Sequence, residues 1–195
     1  MIPALHELEA FLFRVVTANA EVERMESSGH LLARLDAHAV TADKGALGNF
    51  GIAAQTQARR MGEVYELLYC LENSVRELVQ NTLVEYYGAE DWWTKGVTDP
   101  MRKGAEKRKA DDLKARWHGP RGDSLINYLD FPQYGEIIVH QWALFEDLLG
   151  DSDWVVSYFS EMNRSRRALA HTGTLGESDV ERMDLRVRDW LRVVG

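Results

Sequence analysis

The segment Asn163-Arg-Ser-Arg-Arg-Ala-Leu-Ala-His171 sets several guanidinium groups against one imidazole. Four residues separate Arg166 from His171, so a fixed cation and a titratable ring converge near one helix end. That pair suits phosphodiester cleavage in RNA. The imidazole exchanges a proton with the ribose 2′-hydroxyl or the leaving oxygen, and the guanidinium neutralises charge building on the phosphate. No metal is needed for either step. Spacing alone is weakly specific. With 17 arginines and six histidines in 195 residues, their product divided by the length gives roughly 0.5 chance pairs at any one spacing. Three pairs with four to six intervening residues occur: Arg166–His171, Arg164–His171 and Arg24–His30. The last straddles Ser27-Ser28-Gly29 and so falls across two elements. On the residues alone, the plainer account is a histidine favoured by the helix dipole after a solvated basic turn.

A second polar group lies on a separate helical stretch. Glu72, Asn73 and Arg76 fall one turn apart, a spacing that supports an intrahelical network. Such a cluster either orients Arg166, faces solvent, or enters the site directly. Six tryptophans fit core or interface positions better than base stacking, with Trp117 the best stacking candidate because Arg116 and His118 flank it. His118 and His140 have no partner at metal-ligand spacing, and no metal or other cofactor is expected.

These residues must be positioned by helices. Apolar residues recur at steps of three and four from Glu63 to Tyr87, through Val64, Leu67, Leu68, Leu71, Val75, Leu78, Val79, Leu83 and Tyr86. Gly88 is placed to end that helix. Asp99-Pro100 opens a charged helix expected to reach about Trp117, before Gly119-Pro120-Arg121-Gly122. Asp123 is placed to cap a short turn carrying Leu125, Ile126, Tyr128 and Leu129. Asp130-Phe131-Pro132 starts a helix expected to run to Leu149, which Gly150 ends. Asp151-Ser152-Asp153 starts the helix that bears the arginine–histidine segment. Thr172 to Gly176 breaks the chain, and Ser178 is placed to cap a last helix. No useful β-alternation appears, so the expected class is all-α. Upstream, residues 3–27 and 30–39 carry helical patterns, and 41–51, with three glycines, is the best linker. The division expected is a helical extension and linker over 1–50 and one domain over 51–195. The extension carries much apolar surface, suited to packing on the bundle, extending a dimer interface or docking a partner.

The stretch Arg166-Arg-Ala-Leu-Ala-His171 resembles the signature of the HEPN superfamily: arginine, a polar residue, three mostly small or apolar residues, then histidine. Two other stretches resemble one branch, that found at the carboxy end of a nuclear RNA-surveillance endonuclease and in bacterial proteins. They are Leu71-Glu-Asn-Ser-Val-Arg76-Glu-Leu-Val, and Leu125-Ile-Asn-Tyr-Leu-Asp-Phe131 leading into Gln141-Trp142-Ala-Leu-Phe145. All three follow in the family's order, over about Met61 to Gly195. The resemblance implies a bundle of four main helices plus short ones that forms a homodimer, with the two motifs meeting in a shared cleft. It implies a metal-independent endoribonuclease with His171 in acid–base work and Arg166 on the phosphate, and 5′-hydroxyl products. Arg167, Asn163, Glu72, Asn73 and Arg76 are the candidates for auxiliary or substrate-binding roles. The resemblance further implies a toxin or a phage-defence or stress effector, with an antitoxin or regulatory protein as a possible partner. The alternative is a non-catalytic module of the same family that binds RNA, a nucleotide or a protein. Two positions depart from the pattern. Arg167 stands where asparagine is most common, and Gly173 stands where some toxin members carry a tyrosine that their antitoxin modifies.

Composition bounds the partners. Net charge is −8, which argues against a general nucleic-acid coat and makes DNA an unexpected ligand. Between Lys95 and Arg121, however, nine Lys and Arg face four Asp and Glu. That basic arm is either a solvated helix face or an RNA contact, for which Lys107, Arg108, Arg116 and Trp117 are the candidates. A single cysteine, Cys70, suits a reducing compartment. The chain opens without a basic stretch ahead of an apolar one, and its longest apolar run, 137–145, is far short of the roughly 20 residues a span requires. A cytoplasmic protein without a membrane segment is therefore expected.

Overall fold

The computed structural model describes residues 45–115 and 117–195, and every described element is helical. Seven α-helices occur among them: α1 Ile52–Tyr87, α2 Trp92–Gly96, α3 Asp99–Asp112, α4 Phe131–His140, α5 Glu146–Leu149, α6 Ser152–Ala170 and α7 Glu177–Val194. Short 3-10 turns lie at Ala46–Asn49, Leu125–Tyr128 and Trp142–Leu144. The chain divides into two compact units, Met1–Thr56 and Gln57–Gly195. The first has its described part in residues 45–56, with the exposed 3-10 turn and the start of α1. The helical stretches expected at 3–27 and 30–39 lie outside the described residues. Everything below concerns the second unit.

Helix α1 is 36 residues long and begins before the expected Glu63. Val64, Leu68, Leu71, Val75, Val79 and Leu83 bury one stripe of it, as the spacing of three and four requires. Tyr86, expected in that stripe, is exposed. Its neighbour Tyr87 turns inward instead and donates its hydroxyl to Gln141 Oε1 at 2.9 Å. Gly88 closes the helix at φ 82°, its N–H bonding to the Val84 carbonyl at 2.9 Å.

Helix α3 stops at Asp112, short of Trp117. Asp111 and Asp112 put negative charge at the end where backbone carbonyls are already unpaired. The chain there tightens into turns, with Lys114 N–H on Asp111 O and Ala115 N–H on Asp112 O. The turn at Leu125–Tyr128 is entered from Ser124, which makes no side-chain cap.

A second difference falls after α4, which ends at His140 and does not continue to Leu149. Apolar spacing persists through the break, but Gln141 is held by tertiary contacts. Its amide donates to the carbonyls of Gly96 at 3.2 Å and Lys95 at 3.3 Å, and its own carbonyl takes the Tyr87 hydroxyl. Those bonds tie the chain to the end of α2, and the 3-10 turn and α5 follow.

Helix α6 starts on Asp151, whose carboxylate accepts from Asp153 N–H at 2.8 Å. Val155, Tyr158, Phe159 and Met162 form its buried face. Gly135 lets α4 close on that face, since a Cβ there would stand 2.6 Å from Phe159 Cγ. Helix α7 starts from Gly176, with Ser178 already inside its first turn. Its fully buried Trp190 stacks on Tyr158, rings 5.7 Å apart, and donates its indole N–H to Ser74 Oγ on α1 at 3.0 Å.

Candidate functional site

Arg166 lies near the carboxy end of α6, just before its last turn and four residues past the buried Met162. Its Nε donates to Glu72 Oε2 on α1 at 2.9 Å. The other oxygen of Glu72 accepts from Arg76 Nη2 at 3.3 Å, so one carboxylate lies between two guanidinium groups. Arg76 is fixed on its remaining sides. Its Nη1 donates to Asn73 Oδ1, its Nε donates to the Tyr134 hydroxyl at 2.9 Å, and its guanidinium carbon stands 5.8 Å from that ring's centre. Tyr134 in turn donates to the Ile126 carbonyl at 2.9 Å. A continuous polar path therefore crosses from α6 through α1 to α4. Burial pushes the Tyr134 phenol above its ordinary range, with Arg76 opposing that shift.

The α1 and α6 members of this path line an open cleft of about 380 Å³. Its walls include Glu72, Asn73, Arg76 and Arg166, together with Tyr65, Tyr69, Arg121, Asn127 and Asp130. The two Nη groups of Arg166 have no hydrogen-bond partner among the described residues, so they remain available to an anion in the cleft.

His171 is the residue just past α6 and is exposed. It does not line the cleft that holds Arg166, although Leu169 and Ala170 do. A tight terminal motif fixes its backbone: Thr172 N–H bonds to Leu169 O at 3.0 Å and Gly173 N–H to Ala168 O at 2.8 Å. Thr172 occupies the left-handed region at φ 56°, an unusual place for a β-branched residue. Asn163 and Arg167 lie on the same helix outside the cleft wall, Arg167 exposed.

The basic arm is divided by the fold. Arg108 folds inward, donating Nη1 to the Tyr128 carbonyl and Nη2 to Asp130 Oδ2, both at 2.6 Å. Lys107 is exposed, and Trp117 is 86% exposed with no core role. Arg116 lies outside the described residues. Arg121 joins the cleft, and the sequence offered no sign of it, because a loop from another part of the chain brings it there. Tyr65, Tyr69 and Tyr134 carry no sequence sign of the site either, whereas Asn127 and Asp130 fall within the family-like stretch Leu125 to Phe131 without being marked there as site residues. No cluster of three or more His, Cys, Asp or Glu side chains suited to a metal occurs among the described residues.

A helical domain whose Arg166, near the end of α6, is braced by an acid on the long first helix fits the HEPN class. Residues 66–195, two thirds of the chain, match the family model described as Swt1-like HEPN, and the chain belongs to that family. No curated protein and no solved structure matches it. Among the described residues no helix is long and apolar enough to cross a membrane.

Proposed function

We propose that this protein is a metal-independent endoribonuclease in which Arg166 binds the scissile phosphate and His171 exchanges the proton. The observation that carries the reading is Arg166 itself: Glu72 takes its Nε at 2.9 Å, and its paired Nη groups are left on an open polar cleft. A guanidinium fixed in this way meets a phosphate bidentately with little ordering left to do. Glu72, Asn73 and Arg76 act as positioning residues behind it. His171, exposed one turn beyond, reaches a phosphate held between two copies of the chain, so the working unit is a homodimer. The setting is that of a toxin or a stress or phage-defence effector held in check by a partner.

The test is cleavage of total RNA and purified tRNA in excess EDTA by wild type, His171→Ala and Arg166→Ala. Wild type should cleave and leave 5′-hydroxyl ends, with each substitution lowering the rate by about 10²–10⁴-fold. Intact RNA after incubation with a folded preparation would refute the reading. A non-catalytic module that binds RNA, a nucleotide or a protein is favoured by two features, Arg167 where asparagine is most common and the net charge of −8. RNA bound but uncut, with affinity unchanged on His171→Ala, is the outcome that reading requires.

A further inference from the structure

Beside Arg166 the cleft wall carries two tyrosines that contribute nothing to the core. Tyr65 and Tyr69 sit one turn apart on α1, and each is 60% exposed. Their ring centres are 6.4 Å apart with planes inclined at 42°. Neither phenol hydroxyl has a hydrogen-bond partner among the described residues. Two aromatic faces left open at the edge of a polar cleft have a clear chemical use. Any nucleobase presents a π-face that stacks on such a ring without regard to its identity.

The opposite charge pattern is also present. Arg121 lines the same cleft, with its Nε on Asp112 at 3.1 Å and no partner for its Nη groups among the described residues. Glu72 is engaged by Arg76 and Arg166, and Asp130 by Arg108, so both acids of the wall are already paired. Two guanidinium groups, Arg166 and Arg121, thus keep donors for anions, and an aromatic pair lies in the same wall. Alternating phosphate and base sites of this kind match a single strand. In a duplex the bases stack on one another, and their faces cannot reach a side chain.

Resting on the ribonuclease reading above, we infer that Tyr65 and Tyr69 form a base-stacking subsite of this cleft, where a base flanking the scissile phosphate lies on one of the two rings while Arg121 holds a neighbouring phosphate. The two tyrosines bind and orient the strand. They take no part in proton transfer.

The experiment uses the full chain and a fluorescein-labelled, mixed-sequence RNA oligomer carrying 2′-O-methyl groups, which removes the attacking hydroxyl, so that binding is read without cleavage. Anisotropy gives affinity for the single strand and for the same oligomer annealed to its complement. Wild type should prefer the single strand by about tenfold or more. Tyr65→Ala and Tyr69→Ala should each weaken single-strand binding by about 5- to 150-fold while leaving duplex binding unchanged. The Phe variants at both positions should keep wild-type affinity, since stacking survives without the hydroxyl. Arg121→Ala should weaken binding and reduce the slope of log affinity against log salt by about one contact's worth. Both tyrosines are too exposed for their loss to unfold the domain, and circular dichroism checks this. Single-strand affinity unchanged in the Ala variants, or duplex bound as tightly as single strand, would overturn the inference and leave the ribonuclease reading standing. Displacement of the oligomer by an equal concentration of nucleoside monophosphate would also overturn it, by assigning the cleft to a free nucleotide. If wild type neither binds nor cleaves any RNA, both readings fall.

Discussion

Glu72 is the residue through which the candidate site is coupled to its scaffold. A carboxylate between two guanidinium groups and only 22% exposed is partly shielded from solvent. Its contacts therefore exceed those of a surface pair while staying well below those of a buried one. A double-mutant cycle between Glu72→Ala and Arg166→Ala should give a coupling of about 0.5–1.5 kcal/mol in urea unfolding. Strictly additive losses would mean that the 2.9 Å contact does not hold the guanidinium. Two buried phenols give a second handle. Burial raises the Tyr134 pKa, and burial followed by Asp189 raises that of Tyr158, whose hydroxyl also donates to the Arg186 carbonyl at 3.2 Å. In each case the folded pKa lies above the unfolded one. The stability contributed is thus fully present below about pH 10, where the unfolded phenol titrates, and is lost as pH rises toward the folded value. The melting temperature of wild type should therefore fall more steeply above about pH 10 than that of Tyr134→Phe or Tyr158→Phe. Parallel curves would rule out both phenols as the source.

At the scale of elements, the end of α6 is the informative case. Its terminal motif is complete, yet Thr172 occupies the left-handed position that favours glycine, and Gly173 stands one place later. Gly173 is needed for a different reason: a Cβ there would come within 2.8 Å of the Ala168 carbonyl oxygen. Relieving the strain at Thr172 outweighs the entropy that a glycine adds to the unfolded chain, so Thr172→Gly should stabilise the domain by about 0.5–1 kcal/mol in thermal or urea unfolding. A loss of stability would show that the Thr172 hydroxyl bond to the His171 carbonyl, 2.6 Å long, matters more than the backbone strain. The packing of α4 on α6 allows a prediction of the opposite sign. Gly135→Ala places a methyl against the Phe159 ring and should cost about 1–3 kcal/mol. Much of this level is legible in the residues. Gly88 and Gly150 end helices at positive φ, Asp151 caps α6, and the stripe from Val64 to Leu83 is the buried face of α1. The break at Gln141 is not legible, because the apolar spacing runs through it and the cause is a side chain bound to the distant Gly96 carbonyl. The candidate site divides in the same way. Arg166 is marked by its motif and Glu72 by helical spacing. Arg121, Tyr65 and Tyr69 carry no local pattern, and only the folded chain sets them beside Arg166.

For the molecule as a whole, charge and incompleteness point in the same direction. A net charge of −8 repels a polyanion at long range, so productive contact with RNA must come from a local surface where cations are concentrated. Arg166, Arg76 and Arg121 supply such a surface on one cleft. A general base, however, must come within about 3 Å of the proton it takes, or act through one water. In a single chain the exposed His171 does not line the cleft that holds Arg166. Closure of a second copy over the ends of both α6 helices would bring two such residues to one phosphate. The mass of one chain is 22.3 kDa, and sedimentation equilibrium should give about twice that at micromolar concentration. Cleavage per chain should then fall on dilution through the same concentration range in which the dimer dissociates, because each monomer carries only part of the site. A monomer with undiminished activity per chain would place the proton-transfer group within one chain and overturn the shared site.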